Sequence, residues 1–95
     1  MQQTPHTIVI CYDISRAKLR RKVACFLEER MVRVQKSVFE ARLHLEAANR
    51  IFDYLENLIE DGDGLRMYVM QKGGLEKSRA AGGSPIPEDG SFWLL

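Results

Sequence analysis

The run Thr7-Ile8-Val9-Ile10-Cys11-Tyr12-Asp13 is apolar at both phases of strand alternation, so it reads as a β-strand covered on both faces. A chain of 95 residues has room for one core and one domain. It cannot also supply two covering layers or an internal cleft for a large substrate. The chain's own helices must therefore cover one face of this strand, and something else must cover the other.

The helices are legible from their spacing. Ser15 suits an N-cap, and Leu19, Val23, Phe26, Leu27 and Met31 then recur at steps of three and four. That spacing predicts an amphipathic helix of about sixteen residues. Val32 to Gln35 and Ser37 to Leu43 are two β-rich runs, the second with Phe39, Ala41 and Leu43 on one face. Leu45, Ala48, Phe52, Leu55 and Ile59 mark a second helix, stopped by Asp61-Gly62-Asp63-Gly64. Leu65 to Met70 alternates as a fourth strand.

The order β-α-β-β-α-β predicts an α+β, ferredoxin-like fold over residues 1–71, an antiparallel sheet with both helices on one face. Strands one, three and four carry apolar residues on their other face as well. A second copy is the expected cover, giving a homodimer whose sheets face each other. Residues 72–90, with Gly73-Gly74, Gly82-Gly83, Pro85 and Pro87, read as a flexible linker. Residues 91–95, Ser91-Phe92-Trp93-Leu94-Leu95, are sharply apolar. They read as a fifth strand docking on a partner chain, with cover for the chain's own core as the alternative.

Charge is unevenly spread. The net charge is only +1, yet residues 15–42 hold nine Lys and Arg against three Glu. Residues 44–63 hold one Arg against six acids. A surface polarised in this way suits a polyanion on one side. Arg16, Lys18, Arg20, Arg21 and Lys22 fall within seven residues, at the start of the first helix. The helix dipole disfavours cations there, by about 0.3–1 kcal/mol each. An anion would relieve that conflict, and clustered Arg beside free helix N–H groups suits phosphate. Arg33, Lys36 and Arg42 extend the field. A solvated charged face is the bland alternative. No base-reading pattern accompanies the cations, so recognition of nucleic acid is expected to run through backbone shape and charge.

Asp13 is the only acid in the first 27 residues, and it ends the first strand beside the basic helix. Mg²⁺ often takes one or two carboxylates plus waters and substrate phosphates, so Asp13 is a candidate ligand if a twofold axis pairs it. The alternative is a strand-end Asp bonded to its own loop. Glu40 is a second candidate carboxylate, expected to pair with a cation on the sheet. His6 and His44 show no ligand spacing. Cys11 and Cys25 read as packed or surface thiols, and two cysteines make no disulfide scaffold. No run nears the ~20 apolar residues of a membrane span. The opening MQQTPHTIV lacks a basic and an apolar region, so no signal peptide and a cytoplasmic location are expected.

Three segments together resemble the small CRISPR-associated Cas-two family over residues 7–71. They are Ile10-Cys11-Tyr12-Asp13-Ile14, Arg20-Arg21-Lys22-Val23, and Arg33-Val34-Gln35-Lys36-Ser37-Val38-Phe39-Glu40. The resemblance implies a ferredoxin-like dimer with facing sheets. It implies a partner, the Cas-one integrase, with which the dimer holds incoming duplex DNA during spacer acquisition. It also implies Mg²⁺-dependent endonuclease activity on single-stranded RNA or double-stranded DNA. The implied catalytic set is Tyr12, Asp13, Arg20, Arg33, Ser37 and Phe39, with Asp13 as the metal ligand. Lys22 stands where some members have Arg, which keeps the charge and loses the bidentate phosphate contact. Lys36 occupies a position that varies in the family. The expected nucleic-acid contacts are Arg16, Lys18, Arg20, Arg21, Lys22, Arg33 and Lys36.

Two functions follow as expectations. One is a dimeric scaffold for spacer integration. The other is a metal-dependent nuclease, in which Arg20 and Arg33 stabilise charge developing on the phosphate. A toxin-like endoribonuclease of the same fold, without an integrase, is the rival. An RNA-recognition module is disfavoured, because the central strands offer mainly Tyr12 and Phe39 for stacking.

Overall fold

A computed structural model of the chain describes residues 4–70 and 79–82. The elements run β1 (His6–Asp13), α1 (Ala17–Glu28), β2 (Val32–Gln35), β3 (Val38–Leu43), α2 (Leu45–Glu56), β4 (Gly64–Met70) and β5 (Arg79–Ala81). They form one sheet in the order β2-β3-β1-β4-β5, with every neighbouring pair antiparallel. The expected α+β architecture of four strands and two helices is present, and a fifth strand is added.

The register explains the two-sided character of β1. Ile8, Ile10 and Tyr12 join Phe39, Leu65, Met67 and Val69 in one core cluster with Leu19, Val23 and Leu27 of α1 and Ala48, Phe52 and Leu55 of α2. The alternate residues form the opposite face, where Val9 pairs with Glu40 and Tyr68, and Cys11 with Val38 and Arg66. Val9 (3% exposed) and Tyr68 (4%) are already buried on that face of the single chain. The apolar surface left for a second copy is therefore smaller than the sequence suggests. It includes Met70, which is exposed, and Cys11 and Val38, which are half-buried.

Both helices are shorter than their apolar spacing predicts. In α1, Arg16 and not Ser15 is the N-cap residue, and no side chain caps the helix. Ser15 has a different role, because its backbone N–H donates to Asp63 Oδ1 at 3.2 Å. At the other end, Arg30 and Met31 both donate to the Leu27 carbonyl, which closes the helix before Met31. In α2, Asn57 Nδ2 donates to the Asp53 carbonyl at 3.0 Å and ends the helix ahead of Ile59.

The stretch read as a flexible linker needs correction at residues 79–81, where β5 pairs with β4. Tertiary contacts hold this short strand. Arg79 reaches Asp53 at 3.1 Å, Glu56 at 3.4 Å and Asn49 at 2.9 Å, and its guanidinium lies over the Phe52 ring at 4.0 Å. Gly82 follows with φ +72°, and a Cβ there would collide with the Asp63 carbonyl. The apolar segment 91–95 lies outside the described residues. No helix among the described residues is long and apolar enough to cross a membrane.

Candidate nucleic-acid interface

A cavity of about 510 Å³ opens at the end of β1, between α1 and the β2–β3 turn. β1 contributes Tyr12 and Asp13, α1 contributes Arg20, Arg21 and Glu28, and the turn region contributes Arg33, Lys36 and Ser37. Residues from three separate stretches thus meet because β1 lies beside β3 and α1 packs across the same end of the sheet. The arrangement is cationic, with four Arg and Lys against Asp13 and Glu28.

The five cations of the run at α1 do not act as one field. Arg16 is paired with Glu60 at 3.0 Å. Arg20 Nη1 donates to the Ile14 carbonyl at 3.0 Å and the Ser15 carbonyl at 3.3 Å, which holds the β1–α1 loop. Lys18, Arg21 and Lys22 are exposed and make no ion pair among the described residues. Of these three only Arg21 lines the cavity. The absence of any acid in the first turn leaves the helix start open to an anion.

Arg33 is more committed than its sequence position implies. Its Nε and Nη2 both donate to the Lys36 carbonyl, at 3.1 and 2.7 Å, and its Nη1 donates to Glu28 Oε2 at 3.1 Å. The guanidinium also stands 5.4 Å from the Phe39 ring centroid. Phe39 is fully buried and stacks with Tyr12 at 6.2 Å between centroids. The structure therefore gives Phe39 a supporting place beneath Tyr12 and Arg33, with no surface for a base to stack on.

Tyr12 is buried, and its Oη has no hydrogen-bond partner. Burial pushes the phenol up from its ordinary pKa, and Arg33 partly offsets that through its charge and its close approach to the phenol oxygen, an approach too poorly aligned to count as a hydrogen bond. A buried hydroxyl without a partner is unusual, and an incoming acceptor would satisfy it. Asp13 is exposed, and its carboxylate makes no hydrogen bond or ion pair among the described residues. Ser37 holds the site through its backbone, since its carbonyl accepts the Tyr12 N–H at 3.2 Å.

No group of three metal-ligating side chains occurs among the described residues. Of the two carboxylates that line the cavity, Glu28 is paired with Arg33 and Asp13 is unengaged. That donor set fits a hard cation that keeps most of its waters and takes further oxygens from phosphate or a second copy. It does not fit a cage built within one chain. Glu40 lies on the opposite sheet face beside Val9 and makes no ion pair among the described residues, so the expected pairing on the sheet is not seen. His6 and His44 join no ligand group, and Cys25 stands exposed at the cavity rim.

Sequence reasoning missed Asp63. It is buried, at 5% exposure, and accepts both Ser15 N–H and Glu60 N–H, the latter at 2.9 Å. It ties the β1–α1 loop, which follows Asp13, to the α2–β4 loop. Its setting in Asp61-Gly62-Asp63-Gly64 signals a turn, and nothing in that pattern signals a clamp.

Residues 6–78 match the family model described as CRISPR associated protein Cas2. The chain is 34% identical over 89 residues to CRISPR-associated endoribonuclease Cas2 2 of Synechocystis sp., covering 92% of this chain and 96% of that protein. It is 40% identical over 82 residues to CRISPR-associated endoribonuclease Cas2 1 of Chloroflexus aurantiacus, covering 84% and 88%. Among solved structures it is similar to a chain of a partial Cas6-RT-Cas1–Cas2 complex. There the TM-score is 0.58 at 28% identity, covering 87% of this chain and 92% of the other.

Proposed function

The chain belongs to the CRISPR-associated Cas2 family, and on that premise we propose that it holds duplex DNA for a Cas1 integrase during spacer acquisition. The observation that carries this reading is the cavity lined by Arg21 and Lys36, both without ion pairs among the described residues, together with Tyr12, whose buried hydroxyl has no hydrogen-bond partner. Such a site binds backbone phosphate by charge and shape. It carries no group arranged to read a base edge. The protein works as a homodimer. The exposed Met70 on the sheet's second face and the exposed edge strand β2, with Val32 and Val34, support that state.

A second reading, metal-dependent cleavage of RNA or DNA, rests on the unengaged Asp13 carboxylate beside the same cations. Asp13 would hold a divalent cation such as Mg²⁺, which supplies polarisation of the phosphate and a water of lowered pKa. Arg20 is fixed by the loop carbonyls and faces the charge that develops on phosphate. The protein acts in the cytoplasm, where its CRISPR-associated partners and nucleic acid are found. The toxin-like endoribonuclease alternative predicts cleavage without any dependence on an integrase.

Salt-dependent binding of a short duplex tests the shared part of both readings. Replacing Arg21 and Lys36 together by Gln should weaken binding and flatten the dependence on salt by about two phosphate contacts. An unchanged salt slope would place the duplex elsewhere on the molecule.

A further inference from the structure

We propose that Glu28 is a displaceable counter-ion, and that nucleic-acid phosphate engages Arg33 by taking the place of the Glu28 carboxylate. The proposal rests on the reading above that this cavity receives nucleic-acid backbone.

A guanidinium offers two edges to an oxyanion, the Nε–Nη2 edge and the Nη1–Nη2 edge. The Lys36 carbonyl occupies the first, taking bonds from Nε at 3.1 Å and Nη2 at 2.7 Å. Glu28 Oε2 takes the Nη1 bond of the second at 3.1 Å. As the chain stands, Arg33 has no free edge for a two-pronged phosphate contact.

The two partners differ in how firmly they are held. The Lys36 carbonyl is backbone in the turn between β2 and β3, and it orients the guanidinium. Glu28 is the last residue of α1, on a side chain that is 48% exposed. Ion pairs this open to water contribute little and are screened by salt. A phosphate oxygen can make the same charge-assisted bond with the help of Arg20, Arg21 and Lys36, which line the same cavity. It also brings acceptors to the buried Tyr12 hydroxyl, which has no partner while Glu28 holds Arg33. Glu28 is therefore the contact that gives way, and Lys36 keeps the freed edge aimed into the cavity.

The test measures duplex binding by fluorescence anisotropy for the full chain, Glu28→Gln, Arg33→Gln and the double variant. Glu46→Gln removes an equal charge from the exposed surface of α2 and serves as the control. Glu28→Gln should tighten binding about 3- to 10-fold, beyond any gain from Glu46→Gln. Arg33→Gln alone should weaken binding, and in the double variant the effect of Glu28→Gln should fall to that of the Glu46→Gln control. A gain that survives Arg33→Gln, a gain equalled by Glu46→Gln, or weaker binding by Glu28→Gln would overturn the proposal. A second readout uses inorganic phosphate as the probe and follows the Arg33 Nε–H resonance by NMR. That resonance should respond at lower phosphate in Glu28→Gln than in the parent. Equal responses would overturn the proposal. The expected phosphate response in proteins that fail to bind duplex would uphold the Glu28 contact and remove the duplex reading.

Discussion

Asp63 and Ser15 lie 48 residues apart in the chain, and the Asp63 carboxylate accepts the Ser15 backbone N–H at 3.2 Å. Its other oxygen accepts Glu60 N–H at 2.9 Å, so one buried side chain fixes two loops at the end of the sheet where the cavity opens. Hydrogen bonds to a charged acceptor contribute more than neutral ones, about 1.5–3 kcal/mol each. Asp63→Ala should destabilise the fold by about 2–4 kcal/mol in urea unfolding, within the range for a broken buried network. Asp63→Asn, which keeps one acceptor oxygen, should lose roughly half as much. Equal stability of Asp63→Ala and the parent would show that the loops hold without the clamp.

Gly82, the residue after β5, makes the complementary contact. Its φ of +72° and its closeness to the Asp63 carbonyl leave no space for a side chain. Gly82→Ala should cost about 1–3 kcal/mol and loosen β5 before the rest of the sheet. Hydrogen exchange checks this at the amides of Leu65 to Met67, the β4 residues that pair with β5. Faster exchange confined to that stretch is the expected pattern.

The Tyr12 hydroxyl sets stability against binding. Its Oη is buried with no partner, so Tyr12→Phe should leave stability at neutral pH unchanged or raise it by about 0.5–1 kcal/mol. The same change should weaken duplex binding, because the cavity loses its inner donor. Alkaline pH gives a second handle. Burial raises the pKa of Tyr12 above its ordinary 10.0 and that of Cys11 above its ordinary 9.0. Each group then binds more protons folded than unfolded, so its contribution is complete below the ordinary pKa. It is lost as pH rises through the folded value. Urea titrations from pH 9 upward should show stability falling, and Tyr12→Phe should fall less steeply above pH 10. Parallel curves would contradict the burial assigned to Tyr12.

The parts of this fold readable from the sequence are those fixed by local period. β1 is legible because apolar residues fill both phases, and α1 and α2 because Leu19-Val23-Leu27 and Ala48-Phe52-Leu55 repeat at helical spacing. β5 is not legible, because Arg79–Ala81 has no alternation and is held by Arg79 against Asp53, Glu56 and Phe52. The site shows the same division. Its members Tyr12, Asp13, Arg20, Arg33, Lys36 and Ser37 stand in segments that the family resemblance singles out, and the structure gathers them around one cavity. Their engagement is not encoded locally. Arg16 is taken by Glu60, Arg33 by Glu28 and the Lys36 carbonyl, and Phe39 by the core. Those partners are set by how α1, the turns and α2 pack, which no spacing rule contains.

The most direct measurement is in vitro integration of a short DNA duplex by the cognate Cas1. It compares the parent protein, Asp13→Asn, and the double Gln variant of Arg21 and Lys36, once each is confirmed as a dimer by light scattering. The scaffold account predicts that Asp13→Asn supports integration as well as the parent, and that the variant lacking both cations fails. Collapse of integration in an Asp13→Asn dimer that still binds duplex would contradict it and place the Asp13 carboxylate at the centre of acquisition. A parent protein that adds nothing to Cas1 alone would contradict it more deeply and turn attention to the toxin-like ribonuclease reading.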